Sequence, residues 1–188
     1  ERIISFKDYF FPGIPNQNNS SQHYSEYADG EGFGRWIWSS QPEFKIELPQ
    51  LFTNGPSAEF EVLAFSANHN TGEISNGFNH EFSISLNNRT NKIASQKAIG
   101  YQWIQLNASA KPNDLSALTS VYLGETSYNQ SAFVLSYIKC TYPRLLNLNN
   151  NSQLHVSNTF NSSFFKFESY PSSKNNPYVF DLSNHKRI

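Results

Sequence analysis

The chain has 188 residues, of which 38% are hydrophobic, 15% are aromatic and 15% are charged, and its formal net charge is −1. This length allows one domain with a buried core. The near-neutral charge excludes the basic surface that nucleic acids and anionic membranes attract. Because no run of about 18 apolar residues occurs, we also expect no membrane-spanning helix.

Strand patterns recur along the whole chain, with turn residues between them. The predicted strands cover residues 2–10, 34–39, 43–48, 58–66, 80–86, 92–98, 101–107, 120–125, 132–142, 153–157, 163–169 and 178–182. Residues 43–48 are typical, because Phe44, Ile46 and Leu48 alternate with charged side chains. One short helix could begin at residues 113–118. The pattern predicts an all-β fold with little helix: an antiparallel β-sandwich or jelly roll of the galactose-binding-like kind.

We expect residues 1–188 to form a single β-sandwich domain. Residues 1–33 are interpreted as an N-terminal strand followed by a mobile polar loop, since residues 16–22 contain only Asn, Gln and Ser. Residues 177–188 are interpreted as an exit segment that leads toward a downstream domain.

The longest strand pattern covers residues 132–142 and is followed by Pro143, which cannot donate a ladder hydrogen bond. Strict alternation gives it two faces. One face carries Phe133, Leu135, Tyr137 and Lys139, and the other carries Val134, Ile138, Cys140 and Tyr142.

The same segment contains Tyr137-Ile138, followed by Tyr142 and Arg144. Three further segments, residues 34–38, 82–87 and 177–184, have patterns that belong with it. In this order they resemble the β-domain that precedes the catalytic domain in PorU-type proteins, the gingipain-like cysteine peptidases of the type IX secretion system. Ser136 stands where that family commonly has Asp, and Phe180 and Leu182 stand where Trp and Val are usual. These departures suggest a divergent relative rather than the sortase itself.

The resemblance implies a secreted protein at the outer-membrane cell surface, whose full length would act as a sortase-like cysteine peptidase through a downstream domain. This chain would be its non-catalytic β-sandwich, giving structural support or docking. The implied partners are the downstream peptidase domain, secreted cargo proteins and other secretion components. The family's catalytic residues belong to the later domain, so no catalytic residue is predicted here. Cys140 is interpreted as a buried, inert thiol.

The alternative is a carbohydrate-binding module of a secreted protein. Trp36 and Trp38 share one strand face, and with Trp103 they could form a platform for sugar rings. The competing interpretation is that these tryptophans pack in the core, because large aromatics dominate β cores. By this second interpretation Tyr101 and Trp103 face inward. A third possibility, an adhesin-like module that binds another protein, has no specific sequence mark.

Metal and cofactor signals are sparse. Asp29 and Glu31 flank Gly30 and are the candidates for a structural calcium site, although an exposed acidic turn is the preferred interpretation. The five histidines lack zinc-ligand spacing and are interpreted as surface or hydrogen-bonded side chains. The strand glutamates, Glu43, Glu47, Glu59 and Glu61, are interpreted as solvated. We therefore predict no cofactor.

Overall fold

The computed structural model describes residues 1–11, 32–38, 41–67, 80–124, 131–145, 180–181 and 185–187. The chain divides into two compact units, Glu1–Arg144 and Leu145–Ile188. That residues 1–188 form one domain stays a prediction. Within the described ranges, no helix has the length and apolar character needed to cross a membrane.

The described residues of the first unit form strands and one short 3₁₀ turn, Pro112–Asp114. The strands are β1 (Arg2–Ser5), β2 (Tyr9–Phe11), β3 (Gly32–Trp38), β4 (Glu43–Glu47), β5 (Ala58–Ser66), β6 (His80–Leu86), β7 (Lys92–Ala98), β8 (Trp103–Ala110), β9 (Leu118–Gly124) and β10 (Ala132–Thr141). In the second unit, β11 (Phe180–Asp181) pairs antiparallel with β12 (Lys186–Arg187).

The strands of the first unit form two antiparallel sheets. The six-stranded sheet has the order β2-β3-β10-β5-β8, with β1 also paired to β10, and the four-stranded sheet has the order β4-β9-β6-β7. Both sheets contribute alternate side chains to one core, and Phe82 of β6 meets Phe133 of β10 edge to face at 4.9 Å. The predicted all-β antiparallel sandwich is confirmed.

The single strand predicted for residues 2–10 is wrong, because the chain breaks it into β1 and β2. β1 pairs with residues 137–140 of β10, whereas β3 pairs with residues 132–135 along the same edge. β3 already occupies that half of the β10 edge. The chain therefore leaves β10 after β1 and crosses to the outer edge of β3, where β2 pairs with β3. The crossing is fixed by buried Phe6, whose N–H donates to the Ser136 carbonyl at 3.0 Å.

The strict alternation predicted for residues 132–142 is also wrong, because β10 contains a β-bulge at Ser136. Leu135 pairs with Ala64 of β5, and Tyr137 pairs with the neighbouring Leu63, so Ser136 is an extra residue in β10. An extra residue reverses the faces that follow it. Phe133, Leu135, Ile138 and Cys140 therefore face the core, and Val134, Tyr137 and Lys139 lie on the outer face.

Other elements follow the predictions closely or fall outside the described residues. β5, β6 and β7 have the predicted bounds. The helix predicted at residues 113–118 is reduced to the 3₁₀ turn, because Leu115 is already extended. The predicted strands at 153–157 and 163–169, the polar loop at 16–22, and Asp29 and Glu31 lie outside the described residues.

Candidate functional site

The outer face of the six-stranded sheet carries two groups of side chains with distinctive chemistry. At one end lies the aromatic cluster, which consists of Tyr9, Phe11, Trp36, Trp38, Phe65 and Trp103. Farther along the same face lies the polar strip, which consists of Glu59, Glu61, Gln105, Asn107, Tyr137 and Lys139. Both are positioned by strands whose opposite faces are anchored in the sandwich core.

Strand register aligns the aromatic cluster across four strands. Trp36 pairs with Val134, Val134 pairs with Phe65, and Phe65 pairs with Trp103. Paired residues point to the same side of a sheet, and neighbouring strands are about 4.8 Å apart. The row from Trp36 to Trp103 therefore extends for roughly 14 Å across the sheet.

Edge-to-face and tilted ring contacts make the cluster continuous. Phe11 bridges the row, since its ring lies 5.7 Å from the rings of both Trp36 and Phe65. Phe65 is in turn 5.1 Å from Trp103. At the other end, Tyr9 meets Trp36 at 5.7 Å. Such contacts hold each ring in a defined orientation.

Glycine makes the close strand approach beneath the cluster possible. Tyr9 and Phe11 of β2 are paired with Gly34 and Gly32 of β3. A Cβ atom at Gly34 would collide with the Val134 side chain and lie 2.8 Å from the Leu135 carbonyl oxygen. Gly34 therefore lets β3 lie tightly against β10.

Burial changes sharply across the cluster. Phe65 is 1% exposed and Phe11 is buried, so the centre is a small satellite core. Trp36 and Trp103 are half-buried against it. Trp38 is 58% exposed and Tyr9 is 45% exposed, so the cluster opens to solvent at the β2–β3 edge.

The three sequence-predicted tryptophans thus have different environments. Trp36 and Trp38 lie on one face of β3 with their rings 5.5 Å apart, as the alternation predicts. The inward orientation predicted for Trp103 is wrong: it pairs with Phe65 on the outer face, because β8 continues the row of β5. The indole nitrogen of Trp36 is buried and has no hydrogen-bond acceptor among the described residues, which is unusual for a buried indole.

The polar strip is organised around Glu61. The Tyr137 hydroxyl, directed outward by the bulge at Ser136, donates to Glu61 Oε1 at 2.5 Å. Lys139 Nζ lies 3.4 Å from Glu61 Oε2 and 3.7 Å from a carboxylate oxygen of Glu1. The sequence alone did not reveal this group, because Tyr137 and Glu61 are 76 positions apart and meet only through strand register.

These contacts set the ionisation of the strip. The hydrogen bond from Tyr137 lowers the pKa of Glu61, and Lys139 adds to this effect against the opposing influence of burial. The same hydrogen bond raises the pKa of Tyr137. At neutral pH the Glu61 carboxylate is therefore ionised and can accept further hydrogen bonds, and the Tyr137 phenol is neutral.

The described residues contain no cluster of side chains suited to bind a metal ion. No group of three or more His, Cys, Asp or Glu side chains within them could hold a metal ion. His80 is buried with its Nδ1 2.9 Å from Ser131 Oγ, which fits the interpretation of a hydrogen-bonded histidine. Burial raises the pKa of the Cys140 thiol to about 12, so this residue is a buried thiol and not a nucleophile.

Comparison with known proteins gives likenesses of fold. No protein-family model matches the sequence, and no curated protein matches it. Similar solved structures include Carbohydrate-Binding Module CBM36 in complex with calcium and xylotriose (9% identity, TM-score 0.42, 75% of this chain and 100% of that chain). A CBM36-1 domain of a multidomain xylanase from the hindgut metagenome of Trinervitermes trinervoides is 10% identical (TM-score 0.44, 77% and 98%). The sugar-binding EclA C-terminal domain is 11% identical (TM-score 0.37, 67% and 90%). Sequence identities and TM-scores this low do not identify a ligand for this chain. They also do not test the resemblance to PorU-type proteins, which stays a prediction.

Proposed function

We propose that this chain is a non-catalytic carbohydrate-binding module, and that its ligand stacks on Trp38 at the open end of the aromatic cluster. The observation that carries this proposal is the environment of Trp38. Its ring is 58% exposed, yet it lies on a sheet strand and packs on Trp36 at 5.5 Å.

A tryptophan in this position is suited to bind a sugar. A pyranose ring has an apolar face of C–H groups and a rim of hydroxyls, so it matches a flat aromatic surface with polar groups beside it. Rings held by neighbouring rings lose little conformational entropy on binding, which favours affinity.

The surrounding chemistry favours a neutral ligand of this kind over a charged macromolecule. The net charge of the chain is −1, which provides no electrostatic attraction for nucleic acid. The likeness to carbohydrate-binding sandwich modules agrees with the proposal but does not carry it. A module of this type is also compatible with a position in front of a peptidase domain, as the PorU-type resemblance implies.

Affinity electrophoresis through gels that contain neutral polysaccharides tests the proposal. We expect the wild-type protein to be retarded by at least one of them, and Trp38→Ala to lose that retardation. Leu118→Ala is the matched control, because Leu118 is an exposed apolar residue on the four-stranded sheet. If no neutral polysaccharide retards the wild-type protein, or if Trp38→Ala is retarded equally, the proposal is wrong.

The PorU-type prediction needs a different test, namely the size of the native protein in cells. An antibody to this domain would detect a band several times the 21.5 kDa of this chain. That band would also react with a thiol-directed peptidase probe. A long band that does not react with the probe would contradict the prediction.

A further inference from the structure

We infer that the polar strip is a second subsite for the same ligand, in which the Tyr137–Glu61 pair binds sugar hydroxyls and selects neutral glycans over anionic ones. This inference rests on the proposed function, because it extends the glycan from the aromatic cluster along the outer face of the sheet.

The first support is continuity of the two surfaces. Tyr137, Leu63 and Gln105 form the register row next to the row of Phe65 and Trp103. Rows on one face of a strand are separated by two residues, or about 7 Å. Glu61 lies one row farther, at roughly 13 Å from Phe65 along β5. Trp38 lies one row on the other side of Phe65, paired with Ala132, so three rows, or roughly 20 Å along the strands, separate it from Glu61. A ligand that binds both Trp38 and the strip must therefore span this distance along the outer face.

The second support is the bulge that directs Tyr137. Without the extra residue at Ser136, the next outward side chain after Val134 would be the serine, and Tyr137 would point into the core. Bulges commonly redirect a side chain at a functional site. Here the redirected hydroxyl binds Glu61, and both groups keep part of their surface in solvent, since the Glu61 side chain is 28% exposed.

The third support is the charge of the strip. Within the strip, Glu59 and Glu61 contribute two carboxylates and Lys139 contributes one ammonium group. Glu1 adds a third carboxylate beside the strip, 3.7 Å from Lys139 Nζ. Ionised carboxylates accept hydrogen bonds strongly from hydroxyls, and they repel uronate or sulfate groups on a ligand. The exposed amides of Gln105 and Asn107 on β8 add donors and acceptors without adding charge.

The test compares variants that alter the strip with matched variants on the other sheet. Tyr137→Phe and Glu61→Gln remove the hydroxyl or the charge. Their controls are Ser120→Ala and Glu43→Gln, because Ser120 donates to Glu43 at 2.6 Å on the outer face of the four-stranded sheet. Each protein is titrated with the neutral polysaccharide that retards the wild type and with polygalacturonate as the anionic probe, and its unfolding temperature is recorded.

We expect Tyr137→Phe to lose about fivefold in affinity for the neutral polysaccharide, which is the size expected for one hydrogen bond between uncharged groups. We expect Glu61→Gln to lower the ratio of neutral to anionic affinity, which a purely structural role of Glu61 would not do. Neither control changes either affinity. If both strip variants bind like the controls while Trp38→Ala loses binding, the second subsite is wrong and the proposed function stands. If Trp38→Ala binds like the wild type, the proposed function itself is wrong.

Discussion

The rings of Trp36 and Trp38 lie 5.5 Å apart on the outer face of β3, tilted by 51°, yet only Trp38 is exposed. Trp36 also contacts the rings of Tyr9 and Phe11, whereas among the described residues the Trp38 ring contacts only that of Trp36. The two tryptophans therefore differ in environment: Trp36 is part of the satellite core, and the Trp38 side chain is exposed to solvent.

This difference in burial predicts that removing each ring lowers the free energy of unfolding by a different amount. Trp38→Ala should change the free energy of unfolding by less than about 1 kcal/mol, because exposed side chains contribute little. Trp36→Ala should cost roughly 2–3 kcal/mol, somewhat below the ~3–5 kcal/mol of a fully buried aromatic. Urea unfolding followed by far-UV circular dichroism measures both. Equal costs for the two variants would contradict the assignment of Trp36 to the satellite core.

The main core gives a second contrast between two phenylalanines. Phe133 is fully buried and contacts Phe82 and His80 edge to face, whereas Phe33 is 58% exposed and contacts Phe10. Phe133→Ala should lower the free energy of unfolding by about 3–5 kcal/mol, because it removes transfer energy and leaves a cavity. Phe33→Ala, its control, should cost under about 1 kcal/mol. If Phe133→Ala lowered the free energy of unfolding no more than Phe33→Ala, the described packing between the two sheets would be wrong.

The ionisation of Glu61 predicts how stability changes with acid. Its pKa is lowered in the folded state by Tyr137 and Lys139, so its contribution to stability is present above its ordinary pKa of 4.5 and is lost as the pH falls through the folded value. Tyr137→Phe removes the largest cause of the shift. The loss of stability between neutral pH and pH values below 4.5 should therefore be smaller in Tyr137→Phe than in the wild type. Thermal unfolding across this range measures the difference, and identical pH profiles would show that the hydrogen bond does not stabilise the carboxylate.

Cys140 predicts a simple chemical result. Because burial raises its pKa to about 12, the thiol stays protonated and inaccessible in the folded protein at mildly alkaline pH. A disulfide reagent should label no thiol in native protein and one per chain after denaturation, since the sequence has a single cysteine. Rapid labelling of the native protein would place Cys140 outside the core.

The sequence predicted elements well where local alternation decides the structure. The strands at residues 58–66, 80–86 and 92–98 have the predicted bounds. In the first two, apolar residues occur at every second position, which favours a strand. Phe82, Ile84 and Leu86 face the core as their alternation predicts.

The errors come from long-range pairing, which alternation does not encode. The break between β1 and β2 exists because two strands share one edge of β10. The bulge at Ser136 leaves no mark in a sequence that alternates plausibly across it, yet it reverses the faces of Tyr137 and Ile138. The polar strip was missed for the same reason. Glu61 has the sequence context of a solvated strand residue until register places Tyr137 and Lys139 beside it.

Calorimetric titration of the wild-type protein and Trp38→Ala with oligosaccharides of a neutral glycan would show whether Trp38 binds a carbohydrate. We expect saturable binding at one site in the wild type, and loss of this binding in Trp38→Ala with an unchanged unfolding temperature. Equal binding by both proteins, or no binding to any neutral glycan, would show that the exposed side chain of Trp38 is not a carbohydrate-binding surface.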